Sequence, residues 1–162
     1  MQPFSAVRIT RTATIRLSAP PDRVFPLFGP IDEQRWEASW HPTMLYPPSG
    51  ATQRDAVFTA EHADGTPSFW TIVAFEPDTF WIAYVRLHPA THIARIDIGC
   101  AGDAGGTTRA EVTYTFTGLT ALGNTYVETF TEPHYATWLK AWEVAINRYL
   151  TRAESSGHDL HA

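Results

Sequence analysis

The chain has 162 residues, 44% hydrophobic and 13% aromatic against 18% charged, a composition that can bury one sizeable core and excludes a mainly disordered or collagen-like polymer. A net charge of -5 and a pI near 5.7 exclude a binder whose affinity comes from neutralising phosphates, so no nucleic-acid partner is expected. Cys100 is the single cysteine and forms no internal disulfide; the start MQPFSAVRITRTA holds no long apolar run, so no membrane span and a cytoplasmic location are expected.

Residues 8 to 18 alternate partly and are rich in Thr and Ile, which predicts a strand ending at Pro20-Pro21. The run from Val24 to Trp36 predicts two short helices, because Pro26 and Gly29-Pro30 forbid one long one. Trp40 to Thr52, with Pro42, Pro47, Pro48 and Gly50, reads as extended or looped chain. Five strand-like runs follow, DAVFTAEH, SFWTIVAF, FWIAYVRLH, HIARIDIG and TRAEVTYTFTGL, and these predict an antiparallel meander. Beyond Leu119 the spacing becomes helical, with a second helical segment starting at Thr131-Glu132-Pro133. On that segment Tyr135, Trp138, Leu139, Trp142, Ala145, Ile146, Tyr149 and Leu150 form one stripe, with Lys140, Glu143 and Asn147 opposite. A single domain over 1–152 and a loose tail over 153–162 are expected.

This order of elements is that of an α+β helix-grip fold, in which a curved antiparallel sheet wraps around a long C-terminal α-helix and two short helices follow the first strand. The segments SAPPDRVFPLFGPIDEQRWEASWHP, FWIAYVRLHP, AEVTYTFTGLTALGN and TEPHYATWLKAWEVAINRYL resemble the START-like, SRPBCC (Bet v 1-like) superfamily, in its polyketide cyclase/lipid-transport-like branch. The resemblance covers nearly the whole chain. It implies a cavity between sheet and terminal helix that holds a hydrophobic molecule, and a fold shared by carriers, cyclases and co-chaperones.

Strand alternation and hairpin register identify side chains that can face such a cavity. A three-residue turn at Pro89, Ala90 and Thr91 sets His88 opposite His92, Arg86 opposite Ala94, Tyr84 opposite Ile96 and Ile82 opposite Ile98. The alternative face carries Arg95 and Asp97, so the face with Ile96 and Ile98 is inward, and Tyr84 and Arg86 with it. Tyr114 is inward by the same alternation. An inward Arg either anchors a ligand carboxylate or carbonyl, or lies at the rim beside a local acid. Tyr84 and Tyr114 either donate to the same ligand or cap a backbone carbonyl. Trp138 and Trp142 either line the cavity or pack in the core; Trp36 and Trp40 either close its mouth or plug the sheet edge. For Trp70, a two-residue turn at Pro77-Asp78 puts Phe69, Thr71 and Val73 on the face of Tyr84, and a turn one residue longer puts Trp70 and Ile72 there.

The ligand-lining set is therefore Trp40, Trp70, Ile82, Tyr84, Arg86, Ile96, Tyr114, Phe130, Trp138 and Trp142. The expected activity is binding of a small hydrophobic or aromatic molecule, lipid or polyketide-like. One alternative is a metal-independent cyclase, aromatase or dehydratase using Arg86 and Tyr84, with His134 moving protons. A second is a protein-interaction module whose cavity is filled by side chains. His88 and His92 flank a turn without a third ligand at metal-site spacing, so no metal and no cofactor are expected. An exposed edge strand can pair two copies, which makes a homodimer the assembly to test.

Overall fold

Alternation in β1 (Arg8–Leu17) carries Ile15 and Leu17 into the interior, and Pro21 then opens the single-turn helix α1 (Pro21–Val24), where its missing N–H is no loss. The structure is a computed structural model that describes residues 2–159. Pro26 and Gly29 break the chain into two 3-10 turns, Phe25–Phe28 and Asp32–Arg35, which bury Phe25, Leu27 and Phe28. Next come β2 (Pro42–Tyr46), β3 (Val57–Glu61), β4 (Pro67–Glu76), β5 (Trp81–His88), β6 (His92–Asp103) and β7 (Thr107–Gly118), then α2 (Ala121–Glu128) and α3 (Glu132–Asp159).

The strands form one seven-stranded antiparallel sheet in the order β1-β7-β6-β5-β4-β3-β2. Its β2 strand lies in the stretch expected as extended or looped chain: Pro42 to Tyr46 pairs with β3, and Pro42 is tolerated there because β2 is an edge strand. One face of β5, β6 and β7 is buried under α3, with Tyr84, Ile96, Ile98, Val112, Tyr114 and Phe116 all enclosed. From α3, Tyr135, Leu139, Ile146 and Leu150 complete this core, and the Tyr135 hydroxyl donates to the Val112 carbonyl at 2.6 Å. Thr131 caps α3, its hydroxyl accepting from the His134 N–H. The helix continues to Asp159, so the segment expected as a loose tail from residue 153 starts as helix. The end of that segment, 160–162, lies outside the described residues.

Glu143 and Asn147 do not face away from the sheet, as the helical stripe implied. They dock on the free edge of β1: Glu143 accepts from the Arg16 N–H at 2.8 Å, Asn147 accepts from the Ser18 N–H at 2.9 Å, and the Asn147 amide donates to the Arg16 carbonyl at 3.0 Å. Backbone groups that an edge strand leaves open are thus satisfied by a helix.

At the opposite end α2 presses on the β5–β6 turn. Gly123 lies in this helix, where alanine would ordinarily be favoured. Here an added Cβ would run into the Thr91 carbonyl oxygen. Gly123→Ala is expected to destabilise the fold by about 2 kcal/mol, the usual cost of overpacking; an unchanged or raised urea midpoint would contradict the close approach.

Candidate functional site

The β5–β6 hairpin places the central charge. Ala90 takes a φ of 61°, the left-handed position of a three-residue turn, and the pairs His88 with His92, Arg86 with Ala94, Tyr84 with Ile96 and Ile82 with Ile98 follow. Arg86 is therefore inward, and only 7% exposed. Its guanidinium lies between two aromatic rings, 5.5 Å from the centroid of Trp70 and 5.9 Å from that of Tyr114. Nη2 donates to His92 Nε2 at 3.0 Å, and the enclosed Nε has no acceptor. Among the described residues no carboxylate pairs with it. A buried, unneutralised cation is costly unless something else meets its charge.

Trp70 reaches this face by a route that neither predicted turn contains. Glu76 pairs with Trp81, so four residues, Pro77 to Phe80, make the turn, with Phe80 at a φ of 58°. A bulge between Ile72 and Ala74 then shifts the register by one, which sets Trp70 opposite Arg86 and Ile72 opposite Tyr84. The Trp70 indole N–H donates to the Ser68 hydroxyl at 2.8 Å.

An open cleft of about 520 Å³ lies over Arg86, lined by Trp40, Trp70, Tyr114, Trp138 and Trp142, with Glu33, Glu37, His41, Glu61 and His62 supplying polar groups. It narrows to an inner chamber of about 20 Å³ bordered by Glu33, Tyr84, Ile96, Ile98 and Tyr114, room for a single water molecule. Trp40 is fixed by its indole N–H to the Pro30 carbonyl at 2.7 Å, and Trp36, buried, donates to the Leu27 carbonyl at 2.8 Å. Trp40 therefore borders the cleft and Trp36 packs behind it, against Trp142.

Glu33 is the acid at the narrow end. Its side chain is half-buried; desolvation, with Glu37 as a smaller contribution, pushes its pKa up to about 8. It is thus a carboxylic acid able to give or take a proton near neutrality. Tyr114, between Arg86 and Glu33, has its phenol raised by burial, opposed by the Arg86 charge.

The predicted residues divide clearly. Trp40, Trp70, Arg86, Tyr114, Trp138 and Trp142 line the cleft; Tyr84 and Ile96 reach only the inner chamber. Trp138 and Trp142 are half-buried and stand beside the true core positions of α3, with their rings 5.4 Å apart. Tyr84 is no donor to a ligand in this cleft, because its hydroxyl already donates to the Phe28 carbonyl at 2.7 Å. Ile82 borders a separate pocket with Phe25 and Phe75, and Phe130 stacks on Phe116 with centroids 4.3 Å apart; neither lines the cleft. His134 is exposed on the first turn of α3, its ring against Phe130, and so cannot serve as an acid or base inside.

Glu33 and Glu37 were missed. Their signal was the interleaved run EQRWEASW, in which two acids and two tryptophans each recur at a spacing of four. His62, His88 and His92 do come close, but as packed rings: centroids are 4.6 Å apart for His62 and His88, which are tilted, and 5.4 Å for His88 and His92, which are stacked. Among the described residues no group of His, Cys, Asp and Glu could hold a metal ion, and no helix is long and apolar enough to cross a membrane. Burial pushes the Cys100 thiol up to about 12, which makes it unreactive.

No family model and no curated protein sequence matches the chain. Solved structures do. Norcoclaurine synthase from Thalictrum flavum, in complex with dopamine and hydroxybenzaldehyde, superposes with a TM-score of 0.66 at 9% identity over 91% of this chain and 89% of that one. An uncharacterised protein from Rhizobium leguminosarum gives a TM-score of 0.62 at 16% identity over 91% and 97%. DynU16, from the dynemicin biosynthetic locus, gives 0.57 at 16% identity over 88% of this chain and 47% of that one, so the chain spans about half of its length. With the sheet order, the two short turns after β1 and the long terminal helix, these likenesses establish that the chain has the helix-grip fold.

Proposed function

We propose that the chain binds a small aromatic molecule bearing a carboxylate or similar acceptor, with the rings among Trp40, Trp70, Trp138 and Trp142 and the acceptor on Arg86. The observation that carries this reading is the buried guanidinium of Arg86, stacked between aromatic rings at the floor of an open cleft and lacking a carboxylate partner. Apolar walls supply affinity, and one or two fixed donors set orientation. Fluorescence titration with anilinonaphthalene sulfonate and its uncharged parent, N-phenylnaphthylamine, tests it: the anionic probe is expected to bind at least about tenfold more tightly. Equal affinities would remove the case for Arg86 as an anchor. Tyr84→Phe is expected to leave both affinities within about twofold while costing about 1 kcal/mol of stability, the worth of its bond to the Phe28 carbonyl.

A second reading is favoured by Glu33. An acid pushed up to about 8 in the same cleft as a phenol and a guanidinium can shuttle a proton while those groups stabilise an enolate. This is the cyclase or dehydratase alternative with its residues reassigned: Glu33 in place of His134, and Tyr114 in place of Tyr84. Norcoclaurine synthase and a protein of the dynemicin locus share the fold, and support catalysis only at that level. Turnover of a poly-β-ketone analogue that survives Glu33→Gln in full would overturn it. The open cleft favours both readings over an interaction module with a filled interior.

A further inference from the structure

The floor of the cleft has a second layer. Next to Arg86 four rings stand in a row, from the turn after β3, β5, β6 and α2: His62 against His88, His88 against His92, and His92 against Tyr126 at 4.5 Å. His92 is only 2% exposed. A guanidinium is a donor only, so the nitrogen that meets Arg86 Nη2 at 3.0 Å must carry a lone pair. His92 is therefore neutral, protonated on Nδ1, and that N–H is enclosed without an acceptor. Rings stack against it from His88 and from Tyr126.

We infer that His92 is a positioning residue: as an Nδ1–H imidazole it holds the Arg86 guanidinium toward the cleft and so sets the preference for an anionic ligand. The inference rests on the binding reading above. Without this acceptor, Arg86 has no hydrogen-bond partner from the protein among the described residues, and a long side chain with one fewer restraint populates more rotamers. The charged and titratable groups around His92 are Arg86 and His88 from β5, His62 from the turn after β3, and Tyr126 from α2. Burial, then Arg86, then the other two histidines hold the His92 imidazole down at about 3. The arrangement is accordingly the same throughout the range in which free histidines titrate.

Three measurements test this. Nitrogen NMR of histidine-labelled wild-type protein is expected to show His92 as the neutral Nδ1–H form from about pH 5 to pH 8; an Nε2–H form or a titration in that window overturns the inference. His92→Leu is expected to weaken anilinonaphthalene sulfonate about fivefold to tenfold while leaving N-phenylnaphthylamine within about twofold. His92→Gln, which keeps an acceptor at the same reach, is expected to restore most of the anionic affinity. A parallel loss for both probes, or no rescue by Gln, means that His92 is only a core residue. If the wild-type protein already fails to distinguish the probes, the binding reading fails, and the tautomer measurement still decides the Arg86–His92 geometry.

Discussion

Arg86→Met is expected to leave the protein at least as stable as the wild type and to abolish its preference for an anionic ligand. Arg86 is 7% exposed and lacks a carboxylate partner, so its guanidinium loses most of its hydration on folding. Stacking on Trp70 and Tyr114 and one bond to His92 offset only part of that loss. Met fills the same space without a charge, and the gain of about 1 kcal/mol or more seen when buried ions are replaced by apolar isosteres is reduced by the His92 Nε2 left without its donor. Affinity for anilinonaphthalene sulfonate is expected to fall at least about tenfold, corresponding to the loss of one charge-assisted hydrogen bond, with N-phenylnaphthylamine unchanged or tighter. Denaturant melts and probe titrations on one preparation read both quantities. A loss of several kcal/mol with selectivity retained would assign Arg86 to the scaffold.

Glu33 gives the second large effect, through pH. Its folded pKa of about 8 lies above the ordinary 4.5, so the folded state holds a proton that the unfolded state has released. Stability from this group is complete below about pH 4.5 and falls as pH rises toward 8. The loss amounts to on the order of 3 kcal/mol between pH 5 and pH 8, at up to about 1.4 kcal/mol per pH unit. Glu33→Gln, an amide with the shape of the protonated acid, removes that slope. Its melts should match wild type near pH 5 and exceed it near pH 8. Parallel curves for the two proteins across that range would mean that Glu33 is ionised and solvated in the folded state.

The part of the site that rests on one hairpin was legible because a hairpin's turn length determines its register: a three-residue turn at Pro89, Ala90 and Thr91 fixes the pairing, and Arg86 follows. Trp70 was not legible, since a four-residue turn and a bulge together place it, and neither marks the sequence uniquely. Tyr84 illustrates a different limit. Alternation correctly makes it inward, yet its partner is a carbonyl 56 residues away, and no local pattern distinguishes a satisfied hydroxyl from a free one. For β2, the proline that usually argues against a strand, Pro42, is compatible with an edge. Glu33 lies on a 3-10 turn whose direction depends on Pro26, Gly29 and Pro30 upstream, so that its helical face could not be read from periodicity.

The bonds from Glu143 and Asn147 to the margin of β1 bear on how a molecule gets in. They rivet one bank of the cleft to the sheet: α3 cannot swing outward without surrendering three hydrogen bonds at once. The opposite bank, lined by Trp40, His62 and Ala63, is bonded within itself: the Trp40 indole to the Pro30 carbonyl, and the turn from His62 to Thr66 by His62 N–H to Thr66, Gly65 N–H to His62 and Thr66 to Asp64. The helix is thus the fixed door-post of the site.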